Sequence, residues 1–197
     1  MIDMLNPEEI PTQGELLSWL DGVKGPRDKA LFSLLYLTGA RINEILNRFR
    51  KKQIEIVQVD NKSYIQFNDI YTEKNPRHPN RTVYAPIFYE YEQGFFKLVQ
   101  NHIKNMNPNT IIFEMTSQRA WQIINKIIGE HKKKSKRIFL NGCHYLRHCR
   151  STHLSKLYGL DAKNLQEWHQ WSSTAPASTY IHLKLEDLLG KFAKRRA

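Results

Sequence analysis

The sequence predicts an α+β fold, mostly helical, with a small antiparallel sheet of three strands. Residues before 50 and after 88 repeat apolar side chains at helical spacing. Residues 53–87 instead alternate apolar and polar, and the two kinds of segment do not interleave as they would in a parallel α/β fold. With 197 residues, 41% of them hydrophobic and 11% aromatic, the chain suffices for one sizeable domain and is too apolar for disorder.

Taken in order, Gly14 to Val23 (GELLSWLDGV) forms a short helix with Leu16, Leu17 and Leu20 on one side. Pro26 suits the first turn of a strongly apolar helix over 26–38, and Gly39 ends it. A second helix starts near Arg41, with Ile42, Ile45 and Leu46 at helical spacing. Residues 54–59 and 63–67 alternate around Asp60-Asn61-Lys62, a strand–turn–strand signature. A third strand covers 81–87, and the polar loop 72–80 (TEKNPRHPN) precedes it. Further helices are expected over 89–105, 116–131, 144–158, 162–171 and 175–192.

Thirty Lys and Arg stand against 19 Asp and Glu, a net charge of +11 that favours polyanionic partners. The basic run from His131 to Arg137 (HKKKSKR) is either a solvated linker or a phosphate-contacting loop. Cys143 and Cys149 fit neither a zinc knuckle nor a disulfide framework, so reduced thiols in a cytoplasmic protein are expected. The N-terminus has no apolar signal core, and no apolar run approaches the roughly 20 residues that span a bilayer, so no membrane partner is expected.

Three segments carry candidate chemistry. In TGARINEIL a glycine turn delivers Arg41 to the start of a helix, where backbone N–H groups favour anions, and Glu44 lies one turn on. In HYLRHCRSTHL, His144 and Arg147 are three apart and share a helix face. In HQWSSTAPASTYIHL, Trp171 lies nine residues before Tyr180. Singly these are an ion-paired surface arginine, a chance His-x-x-Arg and a tyrosine on an amphipathic helix. Their order and their intervals, 106 residues from Arg41 to Arg147 and 33 from Arg147 to Tyr180, make them a set.

As a set they resemble the catalytic domain of the tyrosine recombinase (phage integrase) family, with its T-G-x-R-x-x-E-[IL], H-x-L-R-H and L-G-[HW]-x-S-x-x-x-T-x-x-Y boxes. The resemblance implies that Tyr180 is the nucleophile, Arg41 and Arg147 bind the phosphate, and His144 is the histidine of the second box. Trp171 takes the position of a His or Trp, with His169 as a substitute from a shifted helix. A core role for Trp171 beside Trp168 stands next to this one. Lys74, opening the loop between two strands, would be the family's loop lysine, with Lys62, Arg77 and Arg81 as substitutes.

Two guanidiniums supply paired donors and fixed charge to a five-coordinate phosphorus, so the reading needs no metal, ATP or other cofactor. The resemblance implies double-stranded DNA as partner, self-association to a tetramer, and a site-specific recombinase working through a 3′-phosphotyrosine. A type IB topoisomerase-like enzyme and a non-catalytic DNA-binding regulator of the same fold are the alternatives. Only 40 residues precede Arg41, so residues 1–197 are expected to be one catalytic domain without the family's N-terminal clamp domain, binding DNA weakly and salt-sensitively. Gln170 and Asn43 depart from the family's usual glycine and serine.

Overall fold

In the computed structural model, residues 10–72, 79–131 and 142–181 are described. The centre is α2 (Pro26–Thr38), buried without a break from Ala30 to Thr38. A helix apolar on every side has to be covered on every side. Helix α4 (Glu90–Ile103), α5 (Ser117–His131) and α6 (Gly142–Tyr158) pack against it, together with one face of the sheet. Helices α4 and α5 are amphipathic: Phe95, Phe96, Val99 and Ile103 of the first, and Ala120, Ile123, Ile124, Ile127 and Ile128 of the second, face inward. The short α1 (Gln13–Ser18) begins on a reciprocal cap, Thr12 N–H donating to Glu15 and Glu15 N–H to the Thr12 hydroxyl.

The sheet is β1 (Ile54–Val59), β2 (Lys62–Tyr71) and β3 (Asn80–Pro86), antiparallel in sequence order. Asp60 and Asn61 both take positive φ, the two-residue hairpin turn whose twist matches the strands. Ile65, Phe67, Val83 and Ala85 face the core, whereas Ile56 and Val59 on the edge strand are exposed. Strand β2 outruns the expected 63–67. The pairing shifts between Phe67 and Ile70, with Asp69 at φ 50°, so two turn-forming residues are absorbed in a bulge and Ile70 points inward again. Gln53 Nε2 donates to the freed carbonyls of Asn68 and Asp69, each at 3.0 Å.

A polar layer ties the N-terminal segment to α4 and α6. Gln13 Nε2 shares its two protons among Glu92 (2.9 Å), the Tyr36 hydroxyl (3.0 Å) and the Tyr158 hydroxyl (3.1 Å), and Arg150 pairs with Glu92 where both side chains are fully buried. His153 Nε2 lies 3.0 Å from the Pro11 carbonyl and must donate to it, so its Nδ1 accepts from the Tyr36 hydroxyl at 2.8 Å. Helix α7 (Ala162–His169) is capped by Asp161 and ended by Gln170 at φ 52°. A 3-10 turn, Ala175–Thr179, follows where a long helix over 175–192 was expected, and residues 182–192 lie outside the described ones.

Candidate active site

The turn after α2 is built for close approach. Thr38 Oγ1 donates to the Leu34 carbonyl (2.7 Å) and accepts from Ala40 N–H (3.2 Å), while Gly39 takes φ +56°. A Cβ on Gly39 would lie 2.9 Å from His169 Cε1, so glycine serves both the backbone conformation and the packing. Arg41 is then the extended residue before the single-turn helix α3 (Ile42–Ile45), not a residue of its first turn as expected. Its N–H and its Nη1 each donate to Glu44, both at 2.9 Å.

Glu44 is buried and gathers three guanidiniums. Besides Arg41, Arg81 Nη2 lies 3.5 Å away and Arg147 Nη1 4.0 Å away. Burial opposes its ionisation, yet Arg81, Arg147 and the Arg41 N–H outweigh burial and hold the carboxyl below its ordinary pKa. Arg81 also donates to the Thr38 carbonyl (3.2 Å) and the Trp168 carbonyl (2.8 Å). Its side chain is wholly buried on β3, which removes it as a stand-in for a loop lysine. Lys62 sits over the Phe88 ring (5.3 Å) at the hairpin, and Lys74 and Arg77 lie outside the described residues.

Helix α6 supplies His144, exposed, and Arg147, 2% exposed. Arg147 Nη1 donates to the Gly39 carbonyl at 2.6 Å, and its Nη2 is buried with no partner among the described residues. Burial, then the neighbouring Arg81 and Arg41 charges, press its pKa down to about 9 against the opposing pull of Glu44, leaving a cation at neutral pH. A cation with a spare buried donor is suited to an incoming anion.

Tyr180 follows the 3-10 turn and is 8% exposed. Its ring lies between Trp171 (5.8 Å, 14° between planes) and His148 (5.1 Å), and His148 in turn meets His144 at 5.3 Å. The Arg147 guanidinium stands 5.7 Å over the Trp171 ring, and His169 stacks on Trp171 at 4.5 Å. Burial raises the Tyr180 pKa, whereas the charge of Arg147, the Ser151 hydroxyl and the charge of Arg41 lower it. Arg41, Arg147, Trp171 and Tyr180 therefore meet, with His144 reaching Tyr180 through His148. Sequence reasoning did not foresee the contacts of Arg81 with Glu44 or of His148 with Tyr180, although Arg81 was named as a substitute for the loop lysine and His148 closes the H-x-L-R-H box.

Among the described residues no helix is long and apolar enough to cross a membrane, and no group of three His, Cys, Asp or Glu side chains could hold a metal ion. No curated protein matches the sequence. Solved structures match over nearly the whole chain. A XerH site-specific recombinase bound to difH substrate, in a pre-cleavage complex, aligns with a TM-score of 0.62 at 20% identity, covering 95% of this chain and 52% of that one. XerA recombinase gives 0.60 at 18% identity, with 94% and 63% covered, and a Tn1549 transposon integrase in complex with transposon right end DNA gives 0.56 at 17%, with 94% and 64% covered. The chain thus spans about half to two thirds of the length of these proteins, and they share its fold. The phage integrase family model matches residues 14–186, nearly the whole described region, and the chain belongs to that family.

Proposed function

We propose that the chain is a site-specific DNA recombinase that cleaves and rejoins double-stranded DNA through a 3′-phosphotyrosine at Tyr180. The observation that carries this reading is the packing of the Tyr180 phenol beside two cations, Arg147 with a buried donor that has no partner among the described residues and Arg41 steered by Glu44. XerH was captured on difH substrate and the Tn1549 integrase on its transposon end, which supports DNA as the partner of the same fold.

In this mechanism Arg41 and Arg147 donate to the non-bridging oxygens of the scissile phosphate, where charge builds as phosphorus becomes five-coordinate. The Tyr180 oxygen attacks, its proton passing to His144 at the solvent end of the histidine pair. Lys74 protonates the departing 5′ oxygen. Trp171 backs the phenol with a flat surface that fixes its direction of approach. The phosphoester bond is exchanged rather than hydrolysed, so a second 5′ hydroxyl reverses the reaction without ATP, and four protomers on two duplexes exchange strands.

A pool of nicked suicide duplexes of randomised sequence provides the test, because cleavage near the nick releases the short strand and strands the covalent adduct. The expected result is a denaturant-resistant protein–DNA adduct mapped to Tyr180 by peptide mass, absent from Tyr180→Phe. An adduct that survives Tyr180→Phe, or none from a pool that the protein binds, would defeat the proposal. Relaxation of a supercoiled plasmid of arbitrary sequence would move the assignment to a topoisomerase-like activity.

A further inference from the structure

We propose that Arg150, locked by Glu92, is a positioning residue for the two phosphate-binding arginines, and that Gln13 of α1 completes the lock. The inference rests on the reading of Tyr180 as nucleophile and of Arg41 and Arg147 as the groups that hold its phosphate.

Arg150 of α6 and Glu92 of α4 form an ion pair in which both side chains are fully buried. Such a pair is a poor source of stability, because stripping water from two charges offsets most of their attraction. What it fixes is direction. The guanidinium donates to Glu92 and stands among three rings, Tyr36 at 5.3 Å, Trp168 at 5.5 Å and Tyr158 at 5.9 Å. A charge-assisted hydrogen bond and the surrounding aromatic faces leave it one orientation. An apolar side chain of similar volume would fill the space without that constraint.

The acceptor is held in turn. Glu92 Oε1 also accepts from the Tyr158 hydroxyl at 2.7 Å and from Gln13 Nε2 at 2.9 Å. Gln13 Nε2 further reaches the Tyr36 hydroxyl at 3.0 Å, which donates to His153, and His153 donates to the Pro11 carbonyl. Side chains of α1, α2, α4 and α6 thus converge on one carboxylate, and Gln13 closes the group from the N-terminal side.

The stem of Arg150 carries this order to the candidate site. Its Cγ lies 3.5 Å from the position that a Cβ on Gly39 would take, so it abuts the turn at a residue without a side chain. That turn aims the arginines. The Gly39 carbonyl accepts from Arg147 at 2.6 Å, the Thr38 carbonyl accepts from Arg81 at 3.2 Å, and Arg41 follows two residues on. Trp168, beside the Arg150 guanidinium, holds Arg81 through its own carbonyl at 2.8 Å. A shift of the stem would move the carbonyls that aim Arg147 and Arg81, and through Glu44 the guanidinium of Arg41.

Single-turnover adduct formation on the suicide duplex, measured against DNA concentration, separates the reacting fraction, the half-saturating concentration and the plateau rate. Arg150→Met combined with Glu92→Gln keeps the stem and the acceptor while removing both charges; Gln13→Leu removes the far end of the lock. A merely structural role lowers the reacting fraction alone. The plateau rate should instead fall about ten- to a hundredfold in the double variant, the scale of a misplacement of about 1 Å, and about threefold in Gln13→Leu. Half-saturation should stay within about threefold of the parent, since many phosphate contacts share the binding. A parental plateau rate in the double variant, whatever its reacting fraction, overturns the proposal, as does a half-saturation that rises as far as the rate falls. With the double variant slowed, a parental plateau for Gln13→Leu overturns the part given to Gln13. If the double variant does not fold, as judged by its circular dichroism melt, Gln13→Leu decides the whole by the same criteria. Adduct formation by Tyr180→Phe would overturn the nucleophile reading itself, and with it this one; an inert Tyr180→Phe with parental plateau rates in both other variants would overturn this one alone.

Discussion

Replacing Glu44 with glutamine keeps the side chain's shape and removes the charge that three arginines share. The parent carboxylate is 1% exposed, accepts from Arg41 twice at 2.9 Å, and has Arg81 and Arg147 at 3.5 and 4.0 Å. Each attraction at such distances is about 4 kcal/mol at an effective dielectric constant near 20, against a desolvation cost of several kcal/mol for the carboxylate. Without the charge, three guanidiniums face one another in a buried site. Breaking a buried pair in this way costs about 3–5 kcal/mol, a large share of a domain's typical 5–15 kcal/mol. With a urea m-value of about 2 kcal/mol/M, the unfolding midpoint should fall by roughly 1.5–2.5 M. Sulfate, as an anion able to enter the cluster, should restore more stability to the variant than to the parent. A midpoint within about 0.5 M of the parent, or equal sulfate effects, would refute the view that Glu44 holds the cluster together.

Acid should weaken the fold at mild pH. His148 and His153 are held near pKa 4 and His169 well below its ordinary value, chiefly by burial and then by neighbouring cations. All three are neutral in both states above pH ~6.5; below it the unfolded chain takes up protons that the folded chain refuses, so stability falls by up to about 1.4 kcal/mol per pH unit per histidine and levels off for the first two below about pH 4. Urea midpoints at pH 7.5, 6 and 5 that coincide would contradict this. Gly39→Ala combines a left-handed backbone with a Cβ at 2.9 Å from His169, and should lose about 2–5 kcal/mol in a thermal or urea melt along with adduct formation. Arg48 is exposed, stacks on Tyr71 at 4.2 Å and lines a groove of about 340 Å³ with Asn43, Asn47 and Ser117 beside the candidate site. Arg48→Ala should leave stability within about 0.5 kcal/mol but weaken DNA binding and lower its salt slope by about one, which titrations at several salt concentrations measure.

The set of Arg41, Arg147 and Tyr180 was legible because order and interval along one chain are preserved in the sequence itself. The pairing of Arg41 with Glu44 was legible too, being one helical turn. What escaped was whatever depends on distant segments meeting. Arg81 reaches Glu44 across 37 residues, and Ser151 meets His169 across 18. Along the chain Arg81 reads only as a substitute for the loop lysine and His169 only as a substitute for Trp171, and neither of these contacts is visible there. The sheet was read correctly in outline, but Asn68-Asp69 looked like an ending when the fold uses them as a bulge. Residues 175–179 likewise form a 3-10 turn where the start of a helix was expected.

The stacking of Tyr180 on Trp171, and of Trp171 against His169, has a consequence for how an assembly would be controlled. The tyrosine is docked against the arginines of its own chain, through rings supplied by the same short segment, His169 to Tyr180, that leads to it. No neighbour has to lend a side chain for phenol and guanidinium to meet. On the reading that Tyr180 is the nucleophile, docking or undocking this one segment would bring the phenol to the guanidiniums or take it away without moving an arginine.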